Sequence, residues 1–180
     1  MRIPPKKIIA FFILAGMCLW GGLLYSNTFH APFVFDDEMF IVKNPDIRSL
    51  GIESLWHLLN LRKRIVTFFS FALNYHFHGL DVTGYHVVNL GIHLLAGLLV
   101  VWLVGLLFKT PRIRDEKIAR HRNVIAFFVG WLFLSHPVQT ESVTYIAQRL
   151  ESLAALFYLA AVCFYLRGRI SLSQGRRNYP

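Results

Sequence analysis

The chain has 180 residues, of which 55% are apolar or aromatic (Ala, Val, Ile, Leu, Met, Phe, Trp, Tyr, Cys) and only 16% charged, with a mean hydropathy of +0.47. Soluble domains carry about 25% charged residues, and disordered chains have far less apolar surface than this. The two cysteines, Cys18 and Cys163, lie inside apolar runs, which excludes a secreted disulfide scaffold, and in a membrane protein the placement of the net charge of +9 matters more than its sum.

The first apolar run covers residues 8–25 and follows Arg2, Lys6 and Lys7. It is longer than the ~7–15-residue core of a signal peptide, and no small-x-small cleavage site follows Tyr25. An uncleaved signal-anchor helix, about 8–26, is the expected element. Beyond it His30-Ala31-Pro32-Phe33-Val34-Phe35 leads into three consecutive acids, Asp36, Asp37 and Glu38, and then to Asn44-Pro45-Asp46. Adjacent carboxylates repel, so one has a raised pKa unless a cation compensates. That suits a general base or a divalent metal held at Asp36 and Asp37, and it equally suits a solvated acidic turn. Phe33, Phe35 and Phe40 on either side favour partial burial.

Ile52, Leu55, Trp56 and Leu59 have the spacing of an interfacial helix. Arg62-Lys63-Arg64 then precedes Phe68, Phe69, Phe71, Leu73 and Tyr75, a pattern that fits anionic headgroups or a plain surface-anchoring helix. The second run, residues 87–108, would reach about 33 Å, enough for a ~30 Å hydrocarbon core. His86, Asn89 and His93 form a stripe at i, i+3 and i+7. Two histidines about 10 Å apart cannot share one metal, so the stripe reads as an interhelical hydrogen-bond seam.

The third and fourth runs, 124–134 and 153–166, are short by themselves. Extended to 122–136 and 146–167, they become two spans joined by a polar apex. Pro137 should break the third span near His136. If a new helix starts at Thr140, then Glu141, Tyr145, Gln148, Arg149 and Ser152 share one face. Arg149 would suit a phosphate, which a guanidinium grips bidentately. The alternative is a structural pair of Glu141 or Glu151 with Arg149 closing the hairpin.

Charge sets the expected topology. The amino end carries +3, residues 109–123 carry +4 and the tail after the last span +4, whereas residues 26–86 and the apex carry −1 each. Short cytoplasmic loops are rich in Lys and Arg. Both termini, the loop 109–121 and the tail 168–180 are therefore expected in the cytoplasm, with the loop 27–86 and the apex sharing the outer face. The expected fold is an all-α integral membrane protein of four transmembrane helices. It has a large first outer loop with short interfacial helices, and a polar hairpin between helices three and four. No nucleic-acid role is needed to explain the charge. The chain has no phosphate-binding glycine loop, nucleophile elbow or internal repeat.

Three motifs, in order, resemble a known family. They are Asp36-Asp37 with Asn44-Pro45-Asp46; Phe71-Ala72-Leu73-Asn74-Tyr75 with Gly84-Tyr85-His86-Val87-Val88-Asn89; and His136-Pro137-Val138-Gln139-Thr140-Glu141-Ser142-Val143 with Arg149 and Glu151. Over about residues 25–167 the chain resembles GT-C type membrane glycosyltransferases, specifically the tetratricopeptide-repeat transmembrane O-mannosyltransferases (the TMTC group) and their bacterial relatives. The resemblance implies sugar transfer from a polyprenyl-phosphate donor to an acceptor on the outer or periplasmic face. By motif, Asp36 or Asp37 would be the catalytic carboxylate, Arg64 and Arg149 would bind the donor phosphate, and His136, Glu141 and Glu38 would support them. Many relatives have Arg-Pro where this chain has Arg64-Ile65.

The motifs identify no certain cofactor, and a divalent ion at Asp36 and Asp37 fits the acid pair. The expected partners are the lipid-linked sugar, membrane lipids, and further spans with a repeat region. The family has those after its first four spans, so the chain is expected to be an amino-terminal piece of a larger enzyme. The absence of an Asn-x-Ser/Thr sequon favours a bacterial inner membrane. A non-catalytic four-span scaffold or accessory subunit is the competing expectation. A transporter ranks third, since the acids lie outside the spans.

Overall fold

The computed structural model describes residues 5–54, 56 and 64–177, with side chains described from 13 to 173 within those ranges. Among them the chain is helical, with no strand. The main helices are α1 (Pro5–Leu24), α2 (Ile65–His78), α3 (Val82–Leu107), α4 (Arg122–Ser135), the short α5 (Thr140–Thr144) and α6 (Arg149–Arg177). The expected helix through Ile52 and Leu59 falls largely on residues 55 and 57–63, outside the described residues; Ile52 and Trp56 are exposed.

Local chemistry sets the helix ends. Gly79, at φ +59°, ends α2 with its N–H donating to the Tyr75 carbonyl oxygen at 2.8 Å, in a region that L side chains rarely adopt. The Asp81 carboxylate accepts from the Thr83 N–H at 3.0 Å and so caps α3, which holds that carboxyl below its usual range. Helix α4 stops at His136, whose backbone is extended (ψ 127°), as the residue before Pro137 must be.

Two helical stretches are long and apolar enough to cross a membrane: Val82–Leu107, 26 residues, and Ile146–Ser173, 28 residues. At ~1.5 Å per residue they reach about 39 and 42 Å, against a ~30 Å core. Only 6% of the most apolar part of the second is buried, and Phe157, Tyr158, Phe164 and Tyr165 on it are exposed. So much uncovered apolar surface calls for a surrounding other than water. Helix α4, with 14 residues, and the apolar Ile13–Leu24 part of α1 are shorter. Two of the four expected spans thus meet the length and composition needed.

The chain forms two compact units. The first comprises residues 1–21, 94–137 and 154–180. Within it α3 and α4 approach through glycines. A Cβ at Gly97 would lie 2.7 Å from Leu134 Cδ2, and one at Gly130 would overlap Val101 and stand 3.3 Å from the Gly97 carbonyl oxygen. Small residues at such a crossing let backbones approach closely. Gly130→Ala should therefore cost about 1–3 kcal/mol through overpacking, seen as a lower unfolding temperature in detergent. An unchanged temperature would show that α4 has room to shift. The Trp20 indole N–H donates to Ser135 Oγ at 2.8 Å, and its ring meets Trp131 edge-on at 5.4 Å. Leu106, Cys163 and Ile170 form a core between α3 and α6.

The second unit comprises residues 22–93 and 138–153. Its core is Ile41, Ile47, Phe68, Phe71, Ala72, Tyr85 and Ile146. Asn44-Pro45-Asp46 forms a capped turn here: buried Asn44 accepts from the Asp46 N–H at 3.0 Å and donates to the Phe40 carbonyl oxygen at 2.9 Å.

Candidate functional site

All the groups described next lie in the second unit, apart from His136. The acidic loop divides the two neighbouring aspartates between opposite environments. Asp37 is 1% exposed. Its Oδ2 accepts from the Val34 N–H at 3.0 Å and its Oδ1 from the Ala147 N–H at 2.6 Å, so the carboxylate clasps the first loop to the hairpin apex. Burial pushes its carboxyl above the ordinary range, against the opposing pull of those two N–H groups and of His86. His86, wholly buried, has Nε2 3.0 Å from the Ala31 carbonyl oxygen, and its Nδ1 has no hydrogen-bond partner among the described residues.

Asp36, by contrast, is exposed. Its N–H donates to the Tyr145 hydroxyl at 3.1 Å, and its carbonyl oxygen accepts from the Met39 and Phe40 N–H groups at 3.1 and 2.9 Å. Desolvation, with the nearby Asp36 and Asp37 charges, raises the Tyr145 phenol. Immediately before Asp36, Phe35 sits at φ +48°, is 86% exposed, and meets the Tyr145 ring edge-on at 6.4 Å. A bulky residue in the left-handed region stores about 1–3 kcal/mol of strain, a cost associated with functional loops. Phe35→Gly should remove that strain and raise the unfolding temperature while loosening the presentation of Asp36. A lower temperature would show that the Phe35–Tyr145 contact outweighs the strain.

The apex departs from the expected continuous helix. Helix α5 ends at Thr144, Tyr145 is extended (φ −94°, ψ 111°), and a 3₁₀ turn, Ile146–Gln148, precedes α6. Glu141 is therefore not on a shared helix face with Arg149, and its side chain is exposed. Side chains bond the backbone groups released by the break. The Ala147 N–H goes to Asp37, and Asn89 Nδ2 donates to the Tyr145 and Ile146 carbonyl oxygens at 3.4 and 3.3 Å. Non-helical backbone near a membrane is tolerated where protein encloses it in this way.

Arg149 is fully buried. Its Nε donates to Asn89 Oδ1 at 2.7 Å, Nη1 to Asn74 Oδ1 at 2.6 Å and more weakly to Ser70, and Nη2 to the Tyr85 carbonyl oxygen at 2.9 Å. The guanidinium also stands over the Phe71 ring, 4.7 Å from its centre. The group expected to face a lipid phosphate is instead enclosed and tied to α2 and α3, because an arginine at the start of an apolar helix must be satisfied internally. The expected Glu141–Arg149 closure does not form either. Glu151 pairs with Arg64 at 2.7 Å, both side chains being about half exposed. Glu38 pairs with Lys43 at 3.0 Å. His136 is exposed and belongs to the first unit.

Among the described residues no group of three or more His, Cys, Asp or Glu side chains is placed to hold a metal. Both Asp37 oxygens accept from backbone N–H groups, while the Asp36 side chain is exposed. The spacing places Tyr145 on a polar face with Arg149, whereas Phe35 and Asn74 are not among the expected site residues. The clearest signal for Asn74 is a polar residue amid Phe71, Ala72 and Leu73. The His86, Asn89 and His93 stripe is a buried seam, as its spacing required: His86 meets Ala31, Asn89 the apex, and His93 the edge of Tyr25 at 5.7 Å.

This is an all-helical chain with membrane-length apolar helices and an exposed loop carboxylate beside a broken, polar hairpin. Such a chain has relatives. It is 36% identical over 159 residues to a protein O-mannosyl-transferase of Caenorhabditis elegans, covering 81% of this chain and 21% of that protein. It is 29% identical over 185 residues to protein O-mannosyl-transferase Tmtc3 of Drosophila melanogaster (91% and 20%), and 30% identical over 192 residues to TMTC1 of Mus musculus (97% and 19%). Resemblance to the TMTC group thus extends over most of the chain, and the chain spans about a fifth of the length of these relatives. No protein-family model and no solved structure matches it.

Proposed function

We propose that this chain is part of a membrane glycosyltransferase that moves a sugar from a polyprenyl-phosphate donor to a hydroxyl acceptor on the outer face of a bacterial inner membrane. The reading takes four spans with both termini in the cytoplasm, so that the loop carrying Asp36 and the hairpin apex share the outer side. The observation that carries it is the division of labour in the acid pair. Asp37 fastens the loop to the apex, and the strained turn at Phe35 presents Asp36 to solvent.

In the reaction the acceptor oxygen attacks the anomeric carbon, and Asp36 takes the acceptor proton as general base. The bond from that carbon to the donor phosphate oxygen breaks, and the phosphate leaves with the electron pair. Arg64 is an exposed cation of this unit with the planar guanidinium that suits the departing phosphate, since its half-exposed partner Glu151 can give way to a stronger anion. Arg149 takes a positioning role in place of a phosphate contact, holding α2, α3 and the apex in one arrangement.

The names of the relatives support mannose as the sugar and protein as the acceptor. The test is a transfer assay in native membranes with radiolabelled polyprenyl-phosphate mannose. Label should pass to protein when the gene is expressed and fall to background when it is deleted. Identical labelling in both membranes would remove the proposal.

A further inference from the structure

The first unit holds a second polar site, independent of the glycosyltransferase reading. Trp102, Leu106 and Lys109 of α3 and its end, with Arg167, Ile170 and Ser171 of α6, line a cavity of about 360 Å³. Its lining is mainly polar, with Leu106 and Ile170 buried beneath it beside Cys163. Its mouth carries two cations and no carboxylate. Neither Lys109 nor Arg167 makes an ion pair among the described residues, and Asp115, in the loop after Lys109, pairs with Arg114 at 3.1 Å. Two cations without an ion-pair partner attract an anion.

The position of the cavity along the helices identifies the anion. Lys109 is the first charged residue after the apolar run of α3, and Arg167 the first after that of α6. Cys163 Sγ reaches the Leu99 carbonyl oxygen at 3.5 Å and Trp102 meets Phe164 edge-on at 5.2 Å, which fixes the two helices in register just inside these cations. Both helices therefore change from apolar to basic at one level, with a tryptophan beside it. That is the signature of the headgroup layer. Basic pockets between membrane helices at this depth suit lipid phosphates.

We propose that this cavity binds the phosphate headgroup of an anionic membrane phospholipid, with Lys109 and Arg167 as its ligands and Trp102 packing on the glycerol region. A soluble phosphate offers the same charge without the acyl chains that would lie along the apolar runs ending at Lys109 and Arg167.

The test uses native mass spectrometry of the full chain in a neutral detergent, titrated separately with phosphatidylglycerol, phosphatidylcholine and inorganic phosphate. Phosphatidylglycerol should be retained about tenfold or more over phosphatidylcholine. The preference should vanish in Lys109→Gln/Arg167→Gln and survive in Lys117→Gln/Arg120→Gln, which removes equal charge from exposed positions outside the cavity. The charge-keeping swap Lys109→Arg/Arg167→Lys should retain it, which keeps the test decisive if the double glutamine variant does not fold. No preference for phosphatidylglycerol, an equal loss in the Lys117/Arg120 pair, or displacement by inorganic phosphate at equal concentration would each overturn the proposal.

Discussion

Arg149→Leu is expected to unfold the second unit even though leucine suits an apolar helix. The substitution leaves Asn89 Oδ1, Asn74 Oδ1 and the Tyr85 carbonyl oxygen without their donor in a buried site. Each orphaned acceptor costs about 1–3 kcal/mol, and breaking a buried charged network costs about 3–5 kcal/mol. That is a large share of a net stability of about 5–15 kcal/mol. Arg149→Lys keeps the charge but lacks the planar fork that reaches three partners in different directions, so it should fall between wild type and leucine. Thermal unfolding in detergent, with the amount of protein recovered from membranes, measures the effect. A phosphate ligand would behave differently: its leucine variant would melt normally and lose transfer alone. Normal melting of Arg149→Leu would therefore return Arg149 to the donor site and remove its positioning role.

The two aspartates should separate just as sharply. Asp36→Asn keeps the exposed loop intact and removes the proposed general base, so transfer should fall by about 10²–10⁴-fold with no change in melting. Asp37→Asn should lower the unfolding temperature, because an amide nitrogen would face either the Val34 or the Ala147 N–H, donor against donor, at about 1–3 kcal/mol. Asp37 also carries a pH signature. Its folded-state pKa is raised, so the native chain binds this proton more tightly than the unfolded chain. Its contribution to stability is full below the ordinary aspartate pKa and is lost as pH rises through the raised value. The difference in unfolding temperature between wild type and Asp37→Ala, followed from acid to neutral pH, should shrink over that window. A wild-type transfer rate in Asp36→Asn, or a pH-independent difference for Asp37, would reverse the roles given to the pair.

Much of the frame is legible in the residues taken in order. The apolar runs mark where helices form, because hydrophobic length and helix-ending signals such as Gly79 and Pro137 act locally. The buried stripe of His86, Asn89 and His93 follows from helical spacing alone, since polar groups on so apolar a helix must find partners. The motifs around Asp36, Asn74 and Glu141 carry the resemblance to O-mannosyl-transferases. The apex did not follow from its own spacing. A continuous helix from Thr140 satisfies every local preference, yet Asp37 and Asn89 take up the backbone groups of Tyr145, Ile146 and Ala147 and turn Glu141 away from Arg149.

Sequence by itself therefore determined the class of chain, helical with membrane-length apolar runs, a loop of acids and a polar hairpin, because composition, periodicity and charge are sums over neighbours. Only the tertiary structure decided which acid is open and which is clasped, and that the guanidinium of Arg149 is enclosed. Burial and hydrogen-bond partners come from residues tens of positions away, such as Ala147 for Asp37 and Asn74 for Arg149. No local pattern records which of two adjacent side chains those distant groups will reach.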